Sequence, residues 1–323
     1  MALTSEWKVP PAVQPKADDY AYDLDRALSS VVGLRAIVPA DAFTAETLGT
    51  ERAGNGVLIG NGLVLTIGYL ITEADTVWLH LGDGRVAEGY ALGFDGETGL
   101  GLVQALSPLD LPALPLGRAA NLQEGERVVV AGAGGRSRSV AARVAARQEF
   151  AGYWEYVLED AIFTYPAHPN WGGTALIGSA GELLGIGSLQ LERARGVKTE
   201  HLNMIVPIDV APPVIEGLSR HGRVDRPVRP WLGIYSTEID DKVVVVGIAP
   251  KGPAARAELK TGDVLVAVDG NKVTTLAELY RHIWSCGSAG VEIPLTVYRD
   301  GVTFHVRVNS SDRAKFLKSP RLH

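Results

Sequence analysis

The sequence predicts a mainly β protein of two domains, an antiparallel barrel or sandwich followed by a small α+β unit. Three observations support this prediction. The chain has 323 residues, which is long for one domain and comfortable for two. Short apolar segments separated by glycine-bearing turns fill the first two thirds, where helical periodicity is scarce. Towards the C-terminal end, strand-like segments alternate with an amphipathic helical pattern.

The strands of the first domain are predicted by apolar runs that end at glycine turns. We expect them at residues 57–59, 63–66, 77–81, 85–91, 127–131 and 183–186. The domain is placed at residues 28–215, after an N-terminal arm over residues 1–27. Trp7, Tyr20 and Tyr22 lie in that arm and favour a strap that packs on the domain's own surface.

Two proline-containing segments separate the domains. Residues 212–213 and 226–230 surround a short helical stretch at about 214–223, so we place a linker at 216–229. The second domain covers residues 230–308, and a basic, mobile tail is expected at 309–323. Its strands are predicted at 232–235, 243–248, 265–268, 295–298 and 302–308, with helices starting at Ala254 and covering about 276–284. Thr275 and Glu278 form a capping-box pattern at the start of the longer helix.

Composition and charge are those of an ordinary globular protein. Apolar residues make up 46% of the chain and charged residues 21%. The net charge of −6 and the pI near 5.7 argue against a general nucleic-acid or membrane-surface binder. The first eleven residues lack the pattern of a signal peptide, and no run approaches the roughly 18 apolar residues of a membrane span. We therefore expect a cytoplasmic location, or a periplasmic one if the N-terminus has been processed.

No disulfide, metal or cofactor is expected. Cys286 is the single cysteine, which excludes an intramolecular disulfide, and its sequence context indicates an ordinary loop or helix-end thiol. None of the seven histidines lies at metal-ligand spacing from a cysteine or another histidine. The sequence also lacks a Walker A motif and a dinucleotide fingerprint.

Three motifs in the second domain carry a family resemblance. They are Pro-Trp-Leu-Gly-Ile at 230–234, Gly-Pro-Ala-Ala at 252–255 and Thr-Gly-Asp-Val-Leu at 261–265. Together they resemble a PDZ domain of the HtrA type. In PDZ domains a peptide adds as an extra strand to a sheet edge, and a glycine-containing loop turns backbone N–H groups towards a terminal carboxylate.

The resemblance implies a peptide-binding groove that receives the C-termini of proteins or peptides. Leu232, Gly233 and Ile234 would form the carboxylate-binding loop, and Thr275 and Leu279 would lie on the helix that forms the other wall. The alternatives are that Leu232 and its neighbour Trp231 are only core residues, or that the groove is altered or occupied by the chain itself.

The first domain contains Asn-Trp-Gly-Gly at residues 170–173. This segment resembles the nucleophile loop of HtrA-type trypsin-like serine proteases, where Asn-Ser-Gly-Gly is expected. Residues 62–71, 95–103 and 202–208 resemble further blocks of the same family. The resemblance covers about residues 28–215 and implies a trypsin-like double β-barrel.

Serine protease chemistry needs a hydroxyl nucleophile, a base and a carboxylate that orients the base. The resemblance places Trp171 at the nucleophile, Tyr69 at the base and Gly99 at the carboxylate. An indole N–H is a donor only, a phenol with a pKa near 10 is a poor base, and glycine supplies no carboxylate. Pro169 stands at an oxyanion-donor position and has no N–H, a loss worth about 10²–10³ in rate.

These substitutions predict a non-catalytic pseudoprotease that acts as a peptide- or protein-binding scaffold or adaptor. By resemblance, it would form a homo-oligomer such as a trimer, with the aromatic residues of the N-terminal arm in a contact between subunits, or assemble with an active relative. One alternative is an active HtrA-type endopeptidase with relocated catalytic residues, for which Thr174, His168, Ser179 and Ser188 are the nearby candidates. The other is a chaperone-like holder of unfolded chains. We expect the rings of Trp171 and Tyr69 to pack as core in the former cleft, with a reshaped binding surface as the alternative.

Overall fold

The computed structural model describes residues 8–195 and 198–318. The described chain divides into two compact units, and each is discontinuous in sequence. The first contains residues 8–148 and 160–224, and the second contains residues 149–159 and 225–318. The sequence-based boundaries therefore miss that residues 149–159 belong to the second unit. Trp7 and the tail residues 319–323 lie outside the described residues.

The first unit begins with a closed antiparallel barrel of six strands. Their order around the barrel is β1-β2-β3-β6-β5-β4. The strands are β1 (Val31–Ile37), β2 (Glu51–Gly60), β3 (Leu63–Ile67), β4 (Thr76–His80), β5 (Val86–Phe94) and β6 (Leu100–Ala105). Alternate residues such as Val32, Leu34 and Leu79 are fully buried, as expected for strands with one face on a core.

A second closed barrel follows in the same unit, with the order β10-β11-β12-β9-β8-β7. Its strands are β7 (Arg127–Ala131), β8 (Ser139–Gly152), β9 (Tyr156–Tyr165), β10 (Ala175–Ile177), β11 (Leu183–Arg195) and β12 (Lys198–Pro207). The prediction of a mainly β, double-barrel domain is confirmed. All six strand segments predicted for this domain fall within or largely overlap β2, β3, β4, β5, β7 and β11.

Helices occur at the ends of the first unit and in one loop. They are α1 (Leu24–Ser29), α2 (Ala45–Leu48) and α3 (Ala211–His221). Helix α3 ends at Gly222, whose φ of +66° gives a left-handed cap, so the helix continues through the first part of the predicted linker. In the arm, Val9 is buried and its N–H donates to the Ser137 carbonyl at 2.9 Å. The described part of the arm is thus a strap on its own unit.

The second unit is a five-stranded antiparallel sheet, order β13-β14-β15-β17-β18, with a short sixth strand, β16, paired to β15. The elements in chain order are β13 (Ile234–Ile239), β14 (Lys242–Ile248), α4 (Pro253–Arg256), β15 (Val264–Val268), β16 (Asn271–Lys272), α5 (Leu276–Ser285), β17 (Glu292–Arg299) and β18 (Val302–Asn309). The predicted capping box is present, because Thr275 Oγ1 accepts the Glu278 N–H and the Glu278 carboxylate accepts the Thr275 N–H.

Two features of this unit differ from the sequence-based expectations. The strand expected from residue 232 begins at Ile234, because Gly233 has a φ of +76° that interrupts extended backbone. Residues 310–318, expected as a mobile tail, pack on the unit: Trp231 and Ser311 exchange two backbone hydrogen bonds of 3.0 Å, and the Phe316 ring lies 4.9 Å from the Trp231 ring. Among the described residues, no helix has both the length and the apolar character needed to cross a membrane.

Candidate functional site

A cleft of about 390 Å³ lies in the first unit at the loop that carries Trp171. Its lining includes Asn55, Tyr69, Arg138, Pro169 and Trp171. The structure thus brings together three of the four positions, Tyr69, Pro169 and Trp171, that the family resemblance aligns with catalytic groups. Both rings are only partly buried and line an open cleft. The rings therefore pack partly against the domain and partly face the cleft, so the expected core packing is met only in part.

The phenol of Tyr69 is held by the fold. Its hydroxyl donates to the Ser188 carbonyl at 2.9 Å. Burial raises the pKa of this phenol well above its ordinary value, and a hydrogen bond that the Trp171 indole N–H donates to the phenol oxygen acts in the opposite direction. Gly99, the fourth position, lies next to this site because its carbonyl accepts the Gly68 N–H at 2.7 Å. The four assigned positions therefore form one neighbourhood.

Asn55 in β2 fixes the Trp171 loop, and the sequence analysis did not identify it. Its side-chain NH2 group donates to the Asn170 and Gly172 carbonyls at 3.1 and 3.0 Å, and its side-chain oxygen Oδ1 accepts the Ala133 N–H at 2.9 Å. The backbone N–H of Asn55 also donates to Gly172. These partners lie more than 70 residues away in sequence, so no local pattern could reveal them.

Gly173 closes the loop in a conformation that excludes other residues. Its φ is +74°, and a Cβ at this position would lie 1.8 Å from the Asn55 carbonyl oxygen. Its N–H donates to the Gly187 carbonyl at 2.8 Å. The next residue, Thr174, is buried, and its hydroxyl donates to the Trp171 carbonyl at 2.8 Å. The loop backbone is therefore held between Asn55 on one side and Gly187 on the other.

His168, the base considered for a relocated dyad, is fully buried and has both ring nitrogens engaged. Nδ1 accepts the Asn170 N–H at 3.1 Å, and Nε2 lies 2.8 Å from the Arg138 carbonyl, to which it donates. Its backbone N–H and carbonyl pair with the Asn203 side chain at 2.6 and 3.1 Å. Burial lowers the pKa of this imidazole, which keeps it neutral and favours a structural role.

The second unit contains a carboxylate site built from backbone amides. The N–H groups of Leu232, Gly233 and Ile234 converge on the side chain of Glu155. Glu155 Oε1 accepts from Gly233 at 2.7 Å, from Ile234 at 3.0 Å and from Leu232 at 3.2 Å, while Oε2 lies 3.0 Å from the Leu232 nitrogen. The loop assigned to carboxylate binding from sequence thus holds a carboxylate of the same chain.

Glu155 stands at the turn between β8 and β9, within the segment of residues 149–159 that we call the hairpin tip. Its φ is +61°, a conformation that L-residues other than glycine adopt at a cost. Loss of hydration raises the pKa of its carboxyl to about 7, against the opposing effects of the three amide donors and the charge of Arg313. The sequence gives no local signal for this residue, because an acidic residue in a turn is ordinary.

The helix residues assigned to the groove have other roles. The Thr275 hydroxyl caps helix α5, and Leu279 is fully buried. Leu279 belongs to the same hydrophobic cluster as Val157 of the hairpin tip. Cys286 is half-buried, its Sγ donates to the His282 carbonyl at 3.3 Å, and burial raises the pKa of its thiol. Within the described ranges, no three His, Cys, Asp or Glu side chains are placed to hold a metal ion.

Comparison with known proteins defines the class. A family model for the trypsin-like peptidase domain matches residues 54–186, and one for the PDZ domain matches residues 230–309. The chain is similar to the serine endoprotease DegS of Salmonella typhimurium, with 27% identity over 93% of this chain and 90% of the relative. It is also similar to a probable periplasmic serine endoprotease DegP-like of Halomonas elongata, with 30% identity over 80% of this chain and 56% of the relative.

Solved structures show the same fold. The HtrA-type protease AlgW with decapeptide matches with a TM-score of 0.54 and 22% identity, covering 92% of this chain and 98% of AlgW. The chain spans about half the length of the DegP-like relatives it matches. The order of a trypsin-like peptidase domain and a PDZ domain defines a class of PDZ-containing serine proteases. The chain belongs to the HtrA/Deg type of that class.

Proposed function

We propose that this chain is a non-catalytic member of its family that binds protein or peptide C-termini through its PDZ domain and acts as a scaffold or adaptor. The observation that carries the proposal is the pairing of Tyr69 and Trp171 at the cleft. The Tyr69 hydroxyl donates to a backbone carbonyl, and neither ring supplies a nucleophile or a base of suitable pKa.

The neighbouring groups support the absence of proteolysis. Gly99 presents a backbone carbonyl and no carboxylate, so a base at residue 69 would lack an orienting partner. Pro169 cannot donate to an oxyanion. A nucleophile needs its base at hydrogen-bond distance, whereas the Thr174 hydroxyl donates to a carbonyl and both nitrogens of His168 have backbone partners. These contacts argue against relocated catalytic residues.

The carboxylate loop supports peptide binding. Three consecutive backbone N–H groups that converge on one carboxylate match the chemistry of a free chain terminus. The neighbouring strand β13 lies at the sheet edge, where a peptide can add as a further strand. The structure of AlgW with decapeptide belongs to a protein of the same fold.

Active-site labelling and casein hydrolysis test the absence of catalysis. We expect no fluorophosphonate labelling of the full chain and no casein cleavage, with a DegS-type protease as the positive control. The Trp171→Ser variant should also remain unlabelled, because three further groups are missing. Labelling of the unmodified chain would contradict the proposal, and Thr174→Ala and Ser188→Ala variants would then identify the reacting hydroxyl.

A further inference from the structure

The carboxylate loop of the PDZ unit already holds a ligand. We propose that Glu155 is a built-in occupant of this loop, and that a partner's terminal carboxylate gains the loop only by displacing it. The identity of the displacing ligand, a free protein C-terminus, rests on the proposed function. The occupancy itself rests on the contacts of Glu155 alone.

The first observation is the number and direction of the donors. Leu232, Gly233 and Ile234 direct consecutive N–H groups to the two oxygens of one carboxylate, at 2.7 to 3.2 Å. Gly233 reaches this arrangement with a φ of +76°. A chain terminus would present the same two oxygens to the same donors, so the two carboxylates compete for one site.

The second observation is main-chain pairing beside the loop. The Ser236 N–H of strand β13 donates to the Tyr153 carbonyl at 2.9 Å. Tyr153 lies two residues before Glu155, and Ser236 lies two residues after Ile234. The hairpin tip therefore occupies both the carboxylate loop and the adjacent pairing position on the edge strand, as an added peptide strand does.

The third observation is that the tip is anchored on both sides of Glu155. Val157 belongs to the hydrophobic core of the unit, and Ala151 packs against it. Arg281 of helix α5 forms an ion pair with Glu149, and the Tyr153 and Tyr235 rings lie 5.9 Å apart. Because these anchors hold the tip close, Glu155 competes at the high effective concentration of an intramolecular ligand.

This arrangement makes apparent affinity depend on the open fraction of the loop. A peptide binds only molecules from which Glu155 has left, so its apparent Kd equals the intrinsic Kd divided by that fraction. Removal of the carboxylate at residue 155 should therefore strengthen binding of C-terminal peptides. Peptides with an amidated C-terminus lack the competing carboxylate and should not displace Glu155.

The occupancy is tested first without any peptide. Amide resonances of the full chain would be compared by NMR between the wild type, Glu155→Gln and Glu155→Ala. We expect the Leu232, Gly233 and Ile234 amides to move in both variants, while resonances of the barrels stay in place and report intact folding. Glu159→Gln is the matched control: this largely exposed carboxylate lies in the same tip and makes only a 3.9 Å contact with Arg281, so its neutralisation should leave the three amides unchanged. Unmoved amides in the Glu155 variants would overturn the inference.

Competition is tested with a library of decapeptides that have free C-termini, and with the same peptides amidated. We expect the best free peptide to bind Glu155→Ala and Glu155→Gln about tenfold more tightly than the wild type or Glu159→Gln. Equal affinities for all four proteins would overturn the proposed competition between Glu155 and the peptide carboxylate. If the amides respond but no peptide binds any variant, Glu155 occupancy stands and the proposed capture of C-termini is wrong.

Discussion

Glu155 combines a strained backbone with a carboxyl whose proton affinity is changed by folding. Its φ is +61°, and the loss of hydration raises its pKa from 4.5 to about 7. The charged and titratable groups that act on it come from three elements. They are Arg313 in the C-terminal segment, Tyr235 in β13 and Tyr280 in α5. Burial raises the pKa values of both tyrosines, so they are neutral at physiological pH. Of these three groups, Arg313 is therefore the one that carries a charge.

A raised carboxyl pKa makes the folded protein more stable in acid over a defined window. Between pH 4.5 and about 7 the folded state binds more protons than the unfolded state, so the free energy of unfolding falls as the pH rises through this range. We predict that the wild type loses roughly 2–3 kcal/mol of stability between pH 5 and pH 8 relative to Glu155→Gln. Urea unfolding of the second unit at both pH values measures this difference.

Glu159→Gln provides the control, because that side chain is largely exposed and belongs to the same hairpin tip. It should follow the wild-type pH dependence. If Glu155→Gln and the wild type keep the same stability difference at pH 5 and pH 8, the carboxyl titrates near its ordinary value.

At the scale of elements, the Trp171 loop depends on one close backbone contact. A Cβ on Gly173 would lie 1.8 Å from the Asn55 carbonyl, and its φ of +74° already disfavours a side chain. We predict that Gly173→Ala destabilises the first unit by at least about 3 kcal/mol, measured by urea unfolding. Gly222→Ala is the matched control: it shares a positive φ of +66° but meets only an ordinary contact of 3.5 Å.

The control variant Gly222→Ala should lower the free energy of unfolding by about 1–2 kcal/mol, which is the penalty for a side chain at positive φ alone. The difference between the two variants then measures the steric contacts at Gly173, of which the Asn55 carbonyl oxygen at 1.8 Å is the closest and the Thr66 hydroxyl at 2.7 Å is another. Equal effects would mean that the loop shifts to admit the methyl group without loss, and that Asn55 does not hold it rigidly.

Elements that are specified by local sequence could be predicted, and those specified by distant partners could not. The strands ending at glycine turns and the capped helix α5 were placed correctly because their signals lie within a few residues. The loop around Trp171 is held by Asn55, and the carboxylate loop is filled by Glu155, more than 70 residues from its donors. Such pairings are set by the fold and leave no periodic pattern in the sequence.

The whole molecule raises the question of assembly. The resemblance to HtrA-type proteases implies a homo-oligomer such as a trimer, or a complex with an active relative. We predict a solution mass by light scattering that is a higher multiple of the 34.4 kDa chain. Salt and dilution series provide the control for weak association, and a mass of one chain over the whole range would contradict self-assembly.

The discontinuity of the second unit has a practical consequence for dissecting the protein. A fragment that starts at residue 225 would keep Leu232, Gly233 and Ile234 but lose the hairpin tip with Glu155 and Val157. Such a fragment would present an empty carboxylate loop and lack Val157 in its core, and its affinity for peptides would exceed that of the full chain, in which Glu155 must leave the loop first. Screens with that fragment would then also return partners that bind too weakly to displace Glu155 in the intact molecule.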